Sequence, residues 1–194
     1  MNLTNPKIDG RTTSVEEILS GIKRTEPATF RVVGTIEVPD WRGVSNHFQG
    51  IAPQNGVIAI TGQISASADD WWCASFQESG PAPARVTGVF GTGTYDHAGG
   101  IQRLGDLLPM PLEKGDLATV AFYDVSNPDP SGPIYEIHMD NSKASAVAIT
   151  NYHDSVLGHV ALLFVYRYEP RRFKVYRCPI DQVASNGWEY VGET

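Results

Sequence analysis

The chain reads as a nearly all-β protein of about three four-stranded antiparallel sheets, with one short N-terminal helix. Three observations predict this. Short β-branched and aromatic runs recur from Thr29 onward. Nineteen Gly and thirteen Pro among 194 residues separate them, as many short elements require many turns. Similar segments also return at a constant offset of fifty residues. Two parts follow: residues 1–28 as an arm and helix, and residues 29–194 as the β domain.

Met1 to Gly10 is a loose polar arm with no apolar run, unlike a secretory signal. Thr13 to Glu16 and Ser14 to Glu17 carry capping-box spacing. Val15, Ile18, Leu19 and Ile22 follow at helical spacing, with Gly21 near the helix end. Strands are then expected over Thr29–Val38, Ile51–Ala52, Val57–Gln63, Trp71–Gln77, Ala84–Phe90, Ile101–Gln102, Leu107–Met110, Leu117–Val125 and Ile134–Met139. Four more follow at Ala144–Tyr152, Val160–Tyr168, Phe173–Arg177 and Trp188–Val191. Pro53 to Gly56 is a hairpin turn, and Asn127 to Pro133 holds three prolines that no ladder tolerates.

Asn46-His47-Phe48-Gln49-Gly50-Ile51 aligns with Asp96-His97-Ala98-Gly99-Gly100-Ile101, sharing His, Gly and Ile. Arg31-Val32-Val33-Gly34 matches Arg85-Val86-Thr87-Gly88, and Ala146–Thr150 echoes Val57–Thr61 in a third unit. Four strands in a little under fifty residues is the size of a propeller blade. From Thr29 to Val191 the chain resembles the β-propeller superfamily in architecture. It lacks a Trp-Asp dipeptide closing each unit, and Gly99-Gly100 is its single double glycine of the kelch kind. Propellers close with about 4 to 8 blades, so about three leave an open ring with an unpaired edge. The resemblance therefore implies an incomplete propeller that a second copy completes as a homodimer. An open assembly capped by the N-terminal helix is the rival arrangement.

A formal net charge of -7 disfavours phosphate backbones, so no nucleic-acid partner is expected. The basic cluster Arg167, Arg171, Arg172, Lys174 and Arg177 reads as a solvated strand face or an anion patch. Cys73 and Cys178, far apart in sequence, make no disulfide framework. No segment reaches the ~18 apolar residues of a membrane helix, so the expected setting is cytoplasmic with no membrane partner.

His47 and His97 are the first candidates for chemistry. Entering the innermost strands of adjacent blades, they would face one central pocket, joined by Asp96, Gln49, Gln102 and Trp41. The same positions suit a structural role in which each His pins a loop to a backbone carbonyl. No metal or other cofactor is expected: His153 and His159 are six residues apart, a spacing that neither a strand nor a helix puts cleanly on one face as an i, i+4 pair would be. Asp124, Asn127 and Asp129 lack the glycine and distal Glu of a calcium loop. Nucleophile-elbow, zinc-protease and phosphate-loop motifs are missing. Trp41, Trp71, Trp72 and Trp188 suit binding surfaces better than catalysis. The expected function is therefore a non-catalytic module that binds a peptide or protein through a rim or sheet edge, such as an accessory protein of a biosynthetic pathway. The alternative is a hydrolase- or lyase-type enzyme with His47, His97 and Asp96 in the pocket.

Overall fold

A computed structural model of the chain describes residues 1, 3, 46–54, 57–64, 71–77, 85–90, 95, 97–127, 130–139, 143–168 and 171–194. The expected helix near Thr13–Ile22 and the strand Thr29–Val38 lie outside these residues, as do the turn residues Asn55 and Gly56.

The described residues form three four-stranded antiparallel sheets, each a meander of consecutive strands. The first holds β1 (Asn46–Gln54), β2 (Val57–Ile64), β3 (Trp71–Gln77) and β4 (Arg85–Phe90). The second holds β5 (His97–Ala98), β6 (Leu107–Lys114), β7 (Leu117–Asp124) and β8 (Tyr135–His138). The third holds β9 (Ala146–Asp154), β10 (Gly158–Arg167), β11 (Arg172–Pro179) and β12 (Glu189–Glu193), with a short 3-10 turn at Ile180–Gln182. Neighbours in sequence are neighbours in space, so each sheet closes through short loops at low entropic cost.

The second sheet lies between the other two. Residues paired across an antiparallel ladder share a face, and successive residues alternate. Leu108, Met110, Leu112, Ala121 and Tyr123 pack with Ala52, Ala59 and Cys73 of the first sheet. Their neighbours Leu107, Val120 and Phe122 pack with Val147, Ile149, Leu163, Val165 and Tyr176 of the third. This explains why β6 and β7 are buried along nearly their whole length and read as continuous apolar runs. Large residues of the second sheet meet small ones of the first, which lets the two approach closely.

Pro109 and Pro111 sit inside β6, where proline removes a ladder donor. Gly99 N–H donates to the Pro111 carbonyl, so Pro111 turns its donor-less nitrogen toward β5. β5 accordingly pairs with β6 at only two positions, His97↔Glu113 and Ala98↔Leu112.

Three expectations need correction. Ala146–Thr150 opens β9, the first strand of its sheet, whereas Val57–Thr61 lies in β2, a second strand. Any strand with one buried face shows that alternation, so the likeness did not fix strand order. Ile101–Gln102 is not a strand, because the chain at Gly100 leaves β5 to form a parallel bridge with Ala146. Leu3, assigned to a loose arm, packs against the core between the second and third sheets. Among the described residues no helix is long and apolar enough to cross a membrane.

Candidate functional site

The leading strands of the three sheets meet along one seam. Gly50 lies against Gly100 and Ile101, so close that a Cβ on Gly50 would fall 2.7 Å from the Ile101 nitrogen. Gly100 N–H donates to Ser145 O at 3.0 Å, and Val147 N–H donates to Gly100 O at 2.9 Å. Side chains reinforce the seam. Thr61 Oγ1 donates to Gly99 O at 2.8 Å. Glu113 Oε1 accepts from Ala144 N–H at 2.5 Å and from Ser145 Oγ at 3.3 Å.

The two repeated histidines flank this seam in matching register. His47 on β1 is opposite Gln63, and His97 on β5 is opposite Glu113, each pair displaced by fifty residues from the other. His97 is half-buried, and Gln49 is half-buried on β1. Gln102 is exposed, but its Oε1 accepts the Ile149 N–H of β9 at 3.0 Å. That bond satisfies an edge-strand donor that would otherwise face solvent, so part of Gln102 is committed to holding the third sheet. Asp96 and Trp41 lie outside the described residues.

A second polar group sits where the first and second sheets meet. Arg103 is half-buried, and its Nε is buried without a hydrogen-bond partner among the described residues. Burial works against its charged form, while Asp106 and Cys73 favour it. The Cys73 thiol is pushed up to about 12 by burial, with Arg103 pulling the other way. Tyr123 is raised by burial, then by Glu136 and Cys73. Tyr95 is raised by burial and Glu136, against a hydrogen bond with Thr119. A thiol held so high stays protonated near neutral pH and is a poor nucleophile. The sequence signal for this group was slight: a cation, Arg103, between Ile101 and Leu104 in a mixed segment that also holds Gln102, Gly105 and Asp106.

Trp188, a candidate groove residue, is engaged in packing. It stacks on Phe122 with ring centroids 5.0 Å apart, and its indole N–H donates to Val183 O at 3.1 Å. Trp71 and Trp72 lie in β3. Two members of the basic cluster are also paired: Arg167 with Glu193 at 2.6 Å and Arg177 with Glu189 at 2.8 Å. Both carboxylates belong to β12, so the ion pairs tie each end of that strand to the sheet.

β12 is an edge of the third sheet. Tyr190 is 50% and Val191 52% exposed, and Tyr168 and Phe173, at the β10–β11 end of the sheet, are exposed as well. Apolar side chains on a strand edge are a place where another extended chain can pair. The fold and these surfaces define an all-β protein of three stacked antiparallel sheets. No protein-family model matches the chain, and no curated protein or solved structure matches it either.

Proposed function

We propose that this chain is a non-catalytic binding module that takes up an extended peptide segment of a partner protein by strand addition along β12. The observation that carries this reading is an edge strand with half-exposed Tyr190 and Val191, held at both ends by ion pairs. Main-chain hydrogen bonds would supply affinity, and the exposed aromatics would supply side-chain contacts. The edge is already ordered before binding, which lowers the entropic cost of capture.

On the same reading the three sheets are blades of an incomplete β-propeller, with His47, Gln49, His97 and Gln102 near its rim. Consecutive meanders and the Gly50–Gly100–Ala146 seam support that arrangement. A second copy completes it as a homodimer, and unpaired thiols at Cys73 and Cys178 suit a cytoplasmic setting. Sedimentation equilibrium tests the pairing: a particle of twice the 21.2 kDa chain mass is expected, and a monomer at all concentrations excludes it.

A displayed library of extended peptides, selected against the full chain, tests strand addition. Selected peptides should protect β12 amides from hydrogen exchange. They should lose affinity at least about tenfold in Val191→Lys, where a charge blunts the edge. Peptides that bind Val191→Lys unchanged and leave β12 exchange unaltered would refute the reading.

A further inference from the structure

The β9–β10 hairpin brings together two histidines that are six residues apart in sequence. His153 and His159 are direct cross-strand partners, because Asp154 pairs with Gly158 and the loop between them holds only Ser155, Val156 and Leu157. Their imidazole centroids are 5.0 Å apart with an interplanar angle of 82°, and both residues are exposed. Neither imidazole hydrogen-bonds to another described residue.

The turn beneath them is built to hold this spacing. Asp154 Oδ1 accepts both Val156 N–H and Leu157 N–H at 2.8 Å, and Tyr152 Oη donates to Oδ2 at 3.4 Å. Gly158 takes φ of 76°, a left-handed conformation that lets the loop close. Alternation puts Asp154 on the opposite face from His153, so its carboxylate is occupied with the turn and stands apart from the two rings.

We infer that His153 and His159 form a two-imidazole site for a divalent transition metal of the copper, nickel or zinc class. Metal–nitrogen bonds of about 2.0–2.1 Å put a ring centroid about 3.2 Å from the ion. Two such rings at a bond angle between about 90° and 109° have centroids about 4.5–5.2 Å apart, which includes the observed separation. Ring orientation needs only rotation about χ2, a broad torsion for histidine. The backbone therefore fixes the spacing, and ligation selects the rotamer.

Among the described residues no third His, Cys, Asp or Glu completes a cluster. The ion would keep open positions for water or a small anion, as in a labile or catalytic site, unlike a closed structural site. Imidazole donors rank Cu²⁺ above Ni²⁺ and Zn²⁺ in affinity. In the sheet β11 separates this hairpin from β12, and the test of the site is independent of the peptide reading.

Titration of metal-free full-length chain with CuCl₂ and with NiCl₂, followed calorimetrically, tests the inference. One ion per chain is expected to depend on this pair. His153→Asn and His159→Asn should each weaken it at least about tenfold, since a chelate loses half its donors. His97→Asn and His138→Asn should bind as the parent does. Paramagnetic Cu²⁺ should broaden amide signals near Tyr152 and Val160 first. The inference is overturned if either hairpin variant binds as tightly as the parent, or if broadening centres elsewhere. Both substitutions are on exposed side chains, and unchanged circular dichroism would confirm that each variant folds.

Discussion

The Thr61 hydroxyl donates to the Gly99 carbonyl at 2.8 Å, joining the first sheet to the second across thirty-eight residues of sequence. Both partners are buried, so the bond has no water to replace it. Thr61→Val keeps the shape and removes the donor, leaving a buried carbonyl unsatisfied. A loss of about 1–3 kcal/mol is expected in urea denaturation, with Thr61→Ser recovering part of it. A change below about 0.5 kcal/mol would show that the bond does not hold the sheets together.

Gly99 itself has no room for a side chain. A Cβ there would fall 2.1 Å from the Ser145 carbonyl oxygen, a backbone atom of the segment that leads into β9. Gly99→Ala must push the second and third sheets apart, and a loss of about 3 kcal/mol is expected. Gly132→Ala is the control, because nothing lies within 4 Å of its Cβ position. It should change stability by less than about 1 kcal/mol, through the unfolded chain alone. Equal effects of the two substitutions would contradict the close approach at the seam.

Most strands were legible because their patterns are local. Trp71–Gln77 shows β-branched or aromatic residues between turn signals, and β3 occupies that same span. Pairing across a turn was legible in part: Pro53 to Gly56 marks the β1–β2 hairpin. The His153–His159 pair has no signature in the strand or helix period of a single segment, because its geometry runs across a hairpin. A spacing of six becomes a contact once Asp154 and Gly158 pair, and that depends on Asp154 capping its own turn. The order of strands in the third sheet was not legible either. Ala146–Thr150 and Val57–Thr61 show the same alternation, and what distinguishes them is the bridge from Gly100 to Ala146. The roles of Gln102 and Glu113 follow from that junction as well: each side chain satisfies a backbone N–H of the third sheet or its approach. Such bonds have no local signature in the chain.

The two cysteines should be silent in the native protein. Cys73 lies between the first and second sheets and Cys178 between the second and third, both without solvent exposure. Burial pushes each thiol up to about 12, with Asp181 adding to the effect at Cys178. Ellman's reagent at pH 8 should therefore react with neither thiol over minutes and with two per chain in 8 M urea, as only the exposed thiolate attacks. Native reactivity at the rate of a free thiol would place one of them at the surface.

Asp154 gives the hairpin a dependence on pH. Hydrogen bonds from Leu157 N–H and Val156 N–H hold its carboxyl below the usual carboxylate range, with smaller help from Tyr152 and Arg177. In the unfolded chain an Asp titrates near about 3.9. Because the folded value is the lower one, the stabilisation is fully present above the unfolded value. It is lost as pH falls through the folded value, where the carboxylate takes a proton and its bonds weaken. Asp154→Asn keeps an oxygen acceptor for the turn and cannot titrate. Urea midpoints of the two proteins should differ by a constant amount above about pH 5, in favour of the parent, and converge below about pH 3.9. Parallel midpoint curves down to the most acid folded condition would mean that the charge on Asp154 contributes nothing to the turn, leaving its geometry to Gly158 alone.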